Sequence, residues 1–304
     1  MIYTGGFGNM IKEGIHQLTP YKSLVKGSLT NINSHQDVLA LHNDSVLLCR
    51  VEANCFHLNQ GIWKKHSKMN RVRNYTSSVV STKSATYFFG GCGRDSYGRY
   101  FENRYSYEYL TQGSSTWILG KNEIPGGLKH GCAIAVKSEQ EIWLIGGYET
   151  EERILRFNVS DQTFEELPMK LNVGRWGHRC AFLPGTQNIL ITGGKDKQRI
   201  LYDSEAGNVL ASTEIIDTEN ESIKMSTSLK CNRALHGVGT VTINDEDRLI
   251  VFGGLSKSNA NLSGVEVYDP QTQKWARTSK FKLYNSKNSF NFLTVKLENI
   301  SGTI

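Results

Sequence analysis

Short apolar runs that stop on paired glycines punctuate this chain. The clearest is EIWLIGGY at 141–148, and the same design recurs as MIYTGG at 1–6, TYFFGG at 86–91, NILITGG at 188–194 and RLIVFGG at 248–254. Runs of this length, rich in β-branched and aromatic residues, predict buried strands. The double glycine marks where a strand turns or admits another backbone. The last four pairs are spaced 56, 47 and 60 residues apart, and the wider gap from Gly5 to Gly90 leaves room for one degenerate copy, VLLCR at 46–50. Six units of about 50 residues have the period of propeller blades.

Each unit reads as four strands. Beyond the glycines, one strand carries a large apolar residue and the next carries another seven or eight positions on: Phe56 and Trp63, Tyr109 and Trp117, Phe157 and Phe164, Tyr202 and Val209, Tyr268 and Trp275. A fixed offset across a turn such as Ser160-Asp-Gln is the mark of a hairpin, because loop length sets register. An innermost strand precedes each glycine strand, at 77–80, 132–136, 180–183 and 237–243. The first unit starts at its glycine strand and lacks this element. The apolar segment SFNFLTVKL at 289–297 is left over at the other end. The C-terminal strand is therefore expected to complete the first blade, removing the open edge that sheets otherwise present. The expected fold is a single all-β domain over 1–304, a six-bladed propeller with four antiparallel strands per blade. Its blades span 1–35 plus 286–300, 36–70, 71–125, 126–172, 173–232 and 233–285.

Composition narrows the function classes. A chain of 304 residues buries about three quarters of its unfolded surface, so it needs no metal or disulfide to hold a core. Net charge is +6, but no Lys/Arg-rich block stands out, which argues against nucleic-acid binding. No apolar stretch is long enough to span a membrane as a helix. Met1 already stands inside a strand, so either the protein is cytosolic or the sequence begins after its true start. There is no nucleophile elbow and no phosphate-binding loop before a helix. The glycines of Gly90-Gly91-Cys92-Gly93 sit in a strand-to-strand turn, and Glu149, Glu151 and Glu152 read as a solvated loop.

The double glycines, the aromatic followed seven residues on by Trp, and the lead-ins Arg175-Trp-Gly-His178 and Arg233-Ala-Leu-His236 together resemble kelch repeats over essentially the whole chain. The resemblance implies a kelch-type β-propeller of the galactose-oxidase-like class acting as a non-catalytic interaction module, with a protein or glycan partner and no cofactor. Departures from the pattern are Cys49-Arg50 in place of glycines, Val209 in place of Trp, and Lys129-His130 without the arginine. Two alternatives follow from the same resemblance. A copper-dependent oxidase needs a Tyr cross-linked to Cys, a second Tyr and two His around one copper, and no such set is recognisable. An intracellular ubiquitin-ligase substrate receptor would bring a helical adaptor region upstream.

Candidate residues follow from this frame. His130, His178 and His236 recur beside innermost strands and could converge on a metal or simply fix each blade junction, and the second reading is preferred, with no metal expected. Cys49 and Cys55 lie on strands joined by a short connection and are expected to bridge. Cys132 and Cys180, on neighbouring innermost strands, either bridge or are small buried hydrophobes. Secreted invertebrate proteins with divergent kelch units resemble this arrangement of paired cysteines, and six glycosylation acceptors, Asn43, Asn74, Asn158, Asn220, Asn261 and Asn299, point the same way. An extracellular location is favoured, with a cytoplasmic one as the alternative. The longest departure from a minimal blade, 92–107, holds four tyrosines and three arginines. Within it Arg94, Tyr97, Arg99 and Tyr100 are the expected partner contact, since these residue types dominate binding hot spots. A second candidate contact is the polar segment 213–230, acidic in its first half, whose alternative reading is a mobile loop.

Overall fold

Antiparallel four-stranded sheets follow one another along the chain, five of them among the described residues. The structure, a computed structural model, describes residues 2–4, 16–17, 38–43, 45–50, 53–59, 62–73, 78–94, 100–196, 207–243, 246–258, 260, 262–279 and 291–293. A first sheet holds β1 (Ile2–Thr4) and β2 (His16–Gln17), and its third strand comes from the other end of the chain. The second sheet is β3 (Val38–His42), β4 (Ser45–Cys49), β5 (Asn54–Asn59) and β6 (Ile62–Lys68). In the third, β7 (Val79–Ser81) and β8 (Ala85–Phe89) are followed by a separate ribbon, β9 (Cys92–Arg94) with β10 (Tyr100–Glu102). The sheet then resumes with β11 (Tyr107–Thr111) and β12 (Trp117–Leu119). The fourth contains β13 (Cys132–Val136), β14 (Glu141–Ile145), β15 (Ile154–Asn158) and β16 (Phe164–Glu166). The fifth contains β17 (Arg179–Phe182), β18 (Ile189–Thr192), β19 (Thr213–Asp217) and β20 (Ser222–Ser226). The sixth contains β21 (Gly237–Ile243), β22 (Glu246–Phe252), β23 (Val265–Asp269) and β24 (Lys274–Thr278).

The last strand, β25 (Asn291–Leu293), pairs with β1: Ile2 faces Leu293, Tyr3 faces Phe292 and Thr4 faces Asn291. Six four-stranded blades were expected from the repeat. The described residues form five, and the unit at the chain ends contributes three strands. Among the described residues no helix is long and apolar enough to cross a membrane.

Packing lies in the seams between sheets, as period-two alternation requires. Cys132, Val136, Trp143 and Ile145 of the fourth sheet meet Ile189, Ile191 and Ile216 of the fifth. Ala133 and Ala135, the intervening residues, turn the other way toward Tyr87 and Phe89 of the third. Four such seams account for the buried clusters.

One device recurs at the corner of three sheets. The buried guanidinium of Arg73 reaches Glu108 at 2.7 Å, Arg175 reaches Glu214 at 2.6 Å, and Arg233 reaches Glu266 at 2.6 Å. Each arginine also donates to the carbonyl of the first glycine of its own sheet's pair, Gly90, Gly193 and Gly253. Each glutamate accepts from the backbone three residues before its arginine, at Asn70, Asn172 and Lys230. The glycines are required here. Gly193 has φ +56°, and a Cβ on it would lie 2.2 Å from the Arg233 carbonyl of the next sheet.

The fourth sheet dispenses with the ion pair. The amide of Gly91 donates to Leu128 just as Gly147 does to Arg175 and Gly194 to Arg233, so Leu128 occupies the arginine position. Leu155 occupies the glutamate position, and both leucines are buried in one cluster. Three residues before Leu128 stands Pro125, which has no N–H for a glutamate to satisfy. All three polar members are therefore replaced together.

Several sequence expectations need correction. The outer hairpin of the fifth sheet is β19–β20, with Ile216 opposite Ile223. It is not built on Tyr202 and Val209; Tyr202 lies outside the described residues, and Val209 makes only an isolated bridge to Lys195. The supposed polar loop at 213–230 thus supplies both outer strands, and its Glu214 is a buried ion-pair partner. In the third sheet Leu110, not Tyr109, faces Trp117. In the second, Leu58 faces Trp63 and Phe56 faces Lys65, a register that runs unbroken from the Asn59–Ile62 pair at the turn to a bulge beyond Phe56. The pairs Phe157–Phe164 and Tyr268–Trp275 stand directly opposite one another.

Glu214→Leu leaves the Arg175 charge buried without its partner and is expected to cost about 3–5 kcal/mol in urea unfolding. Adding Arg175→Leu, the two side-chain changes of the fourth sheet without its proline, is expected to recover part of that loss, the Asn172 and Val173 amides still lacking their acceptor. A double variant no more stable than the single would contradict this equivalence.

Candidate functional site

The rim that carries the Gly–Gly turns also carries the lead-ins, since Gly91, Gly147 and Gly194 each donate to the lead-in of the next sheet, at Leu128, Arg175 and Arg233. The β9–β10 ribbon leaves this rim directly after Gly90-Gly91, with Arg94 opposite Tyr100 and Cys92 opposite Glu102. Of the expected contact residues, Arg94 and Tyr100 pair across this ribbon by their backbones. Tyr97 and Arg99 lie at 95–99, outside the described residues.

The base of the ribbon is firmly held. Asn103 Nδ2 donates to the Val72 carbonyl at 2.6 Å. Arg104 pairs with Glu102 at 2.9 Å and with Glu149 of the fourth sheet's turn, and its guanidinium lies 4.8 Å from the Tyr105 ring centroid. Glu149, Glu151 and Glu152 were expected to be solvated; Glu149 and Glu152 are exposed, Glu149 while paired with Arg104, whereas Glu151 is buried with its carboxylate accepting from the Glu149 amide. Further round the rim, Lys129 covers Tyr148 and Lys195 covers Trp176, each 5.0 Å from the ring centroid. Trp176 also meets Tyr148 edge-on. This basic and aromatic group was not anticipated; its signal was the Trp inside the Arg175-Trp-Gly-His178 lead-in.

The repeated histidines do not occupy one equivalent position. Gly177 donates to the His130 carbonyl, and Leu235 donates to the Gly177 carbonyl. These three share left-handed backbone, with φ of +56°, +63° and +51°. His130 therefore matches Gly177 and Leu235, while Gly131 stands where His178 and His236 do. The His178 ring packs over Gly146 and the His236 ring over Gly193, and His236 Nε2 lies 2.8 Å from Thr192 Oγ1. Burial pushes His130 and His178 down to about 3 and His236 well below its ordinary value. Lys129, Arg179 and Lys195 add repulsion at His130, Arg175 and Arg179 at His178, and Arg233 and Arg179 at His236. His178 and His236 thus lie where neighbouring sheets meet, over Gly146 and Gly193.

A different trio comes close enough to share a ligand. His42, His57 and His66 each place one ring nitrogen within 4.8 Å of the others, in the second sheet and away from the lead-ins. Sequence reading missed it because nothing at 42, 57 and 66 has ligand spacing.

Cys49 and Cys55, directly opposite on β4 and β5, are joined as a disulfide, as are Cys132 and Cys180 on β13 and β17. By register Cys132 matches Arg179, so Cys180 lies one residue further along its strand. That offset lets the two side chains point at each other across the seam, where truly equivalent residues would both face the same way. Cys92, which is buried, and Cys231 are not joined in a disulfide, and Cys231 Sγ accepts from the Arg277 guanidinium at 3.0 Å. Among the glycosylation acceptors, Asn43 and Asn220 are exposed and Asn158 half-buried. Asn74, Asn261 and Asn299 lie outside the described residues.

The kelch motif matches residues 234–282. A kelch repeat-containing protein of Dictyostelium discoideum is 27% identical over 163 residues, which cover 52% of this chain and 23% of that relative. The chain thus spans about a quarter of the length of the curated relative it matches. With the repeated antiparallel sheets, these similarities support a kelch-repeat β-propeller.

The buried histidines give a pH dependence of definite sign. Unfolded imidazoles take up protons below about 6.5, whereas His130 and His178 in the fold do so only near 3. Stability is expected to be level above pH 7 and to fall between pH 6.5 and 4, by about 1.4 kcal/mol per pH unit for each such histidine. Urea midpoints at pH 7.5, 6 and 4.5 check this, and a midpoint unchanged across that range would refute it.

Proposed function

We propose that this chain is a non-catalytic interaction module, a single six-bladed kelch propeller over 1–304 that binds a protein or glycan through its rim. The observation carrying this reading is the β9–β10 ribbon, which stands outside the blades while its base is tied down at Asn103 and Arg104. Variable loops on a rigid ring are where such scaffolds carry recognition. Arg94, Tyr97, Arg99 and Tyr100 form the contact, combining planar aromatic area with bidentate donors. Closure of the ring by the C-terminal strand is supported by the β1–β25 pairing and by the approach of β25 to both β21 and β3.

An extracellular location for this module rests on the two disulfides, which persist in oxidising compartments. Asn43 and Asn220, exposed in turns, are suitable acceptors for glycans there.

The double variant Tyr97→Ala/Tyr100→Ala is expected to keep the wild-type thermal midpoint while losing at least about tenfold in partner affinity, the loss of one modest hot spot. Quantitative pull-down against a glycan array and an extracellular protein library reads both partner classes. Wild-type capture by the double variant would remove the ribbon from the interface.

A further inference from the structure

The seam between the second and third sheets holds three imidazoles that the propeller architecture does not need. His42 ends β3, His57 lies on β5 and His66 on β6. Their ring centroids are separated by 3.8 Å (His57–His66), 5.5 Å (His42–His57) and 5.6 Å (His42–His66). Alternation places His57 on the face of Cys55 and Leu47, which packs toward Trp117 of the third sheet. His66 reaches the same place by another route. Cys55 faces Ser67 and Phe56 faces Lys65, so His66 is the extra residue of a β-bulge. Bulges of this kind re-aim a side chain and are common next to functional sites.

Polar satisfaction around the trio is incomplete. His42 Nδ1 lies 3.2 Å from Thr86 Oγ1, and His42 Nε2 makes only a long 3.4 Å contact with the Ser114 carbonyl. His57 Nε2 and His66 Nδ1 are closed to solvent and have no hydrogen-bond partner among the described residues. Buried polar atoms are nearly always paired, and exceptions call for an explanation such as an ion.

We propose that His42, His57 and His66 bind one divalent transition-metal ion of the zinc class, tying together the first, third and fourth strands of the second sheet. Three imidazoles with no carboxylate among them suit zinc, copper or nickel and not calcium or magnesium. Binding requires the His42 tautomer in which Nδ1–H donates to Thr86 Oγ1, so that Nε2 gives up its contact with the Ser114 carbonyl and takes the metal, an outer oxygen orienting the ligating ring. His57 and His66 offer Nε2 and Nδ1, the two atoms without partners. Nitrogen–metal bonds of 2.0–2.1 Å require the rings to draw together by roughly an ångström. Burial holds all three rings below their ordinary pKa, His57 at about 4, and the neutral imidazole is the ligating form. The fourth position is left to water. The site is independent of the rim and of whatever the rim binds.

The test uses the full chain stripped with chelator and titrated with zinc chloride by calorimetry at pH 7, with magnesium chloride in parallel. One zinc per chain is expected, no magnesium, and a thermal midpoint that rises with zinc concentration. His57→Ala and His66→Ala are each expected to weaken binding by at least about 100-fold, and Thr86→Val by about 10–100-fold. His66→Gln serves should an alanine variant fail to fold, with the same loss expected. Zinc binding unchanged in the His57 and His66 variants, or absent from the wild type, would overturn the proposal.

Discussion

A buried carboxylate holding both an arginine and a strand-preceding backbone fixes how three of the sheets meet the rim. In three sheets the arginine bridges the first glycine carbonyl and the glutamate, and the glutamate in turn holds the lead-in amides. A buried ion pair is weak evidence for stability in itself, because desolvation offsets much of the attraction. Its value here is positional. The carboxylate, the guanidinium and the glycine carbonyl can all be satisfied only when lead-in, glycine turn and third strand meet at one point. The fourth sheet shows the alternative solution in the same molecule, with Leu128, Leu155 and Pro125 leaving no buried charge and no orphaned amide.

From that corner the rest of each blade follows. Paired glycines let the neighbouring lead-in approach to a distance no Cβ tolerates, at Gly146 and Gly193 as at Gly90. The histidine after Gly177 and the one after Leu235 then lie over those glycines and fill the space beside them. Where the fourth sheet has Gly131 instead, His130 is displaced by one residue and meets Trp176. The rim therefore gathers basic and aromatic side chains around a framework whose own charges are internally neutralised.

Much of this was legible in the chain, and the misses have identifiable causes. Apolar runs ending on Gly-Gly located β8, β14, β18 and β22, since burial on both faces forces continuous hydrophobicity. The fifth sheet's hairpin was misplaced because Thr213-Glu-Ile-Ile-Asp217 carries an acid on each face of the strand, Glu214 buried and Asp217 half-buried. A carboxylate read as solvated was in fact Arg175's partner. The one-residue offset of His130 was invisible because Lys129-His130 mimics the lead-in pattern. The histidine trio was hidden for a stronger reason: it depends on a bulge, and an extra residue in β6 leaves no mark on the hydrophobic pattern.

Amide hydrogen exchange at the lead-ins tests the central claim most directly. The amides of Asn172, Val173, Lys230 and Cys231 sit in segments that would exchange freely were they ordinary surface loops. Here they donate to the buried carboxylates of Glu214 and Glu266. They are predicted to be protected to the level of the core strands β18 and β22 and to lose that protection together in Glu214→Gln or Glu266→Gln, each at its own lead-in only. Exchange at the rate of exposed loops in the wild type would contradict the account.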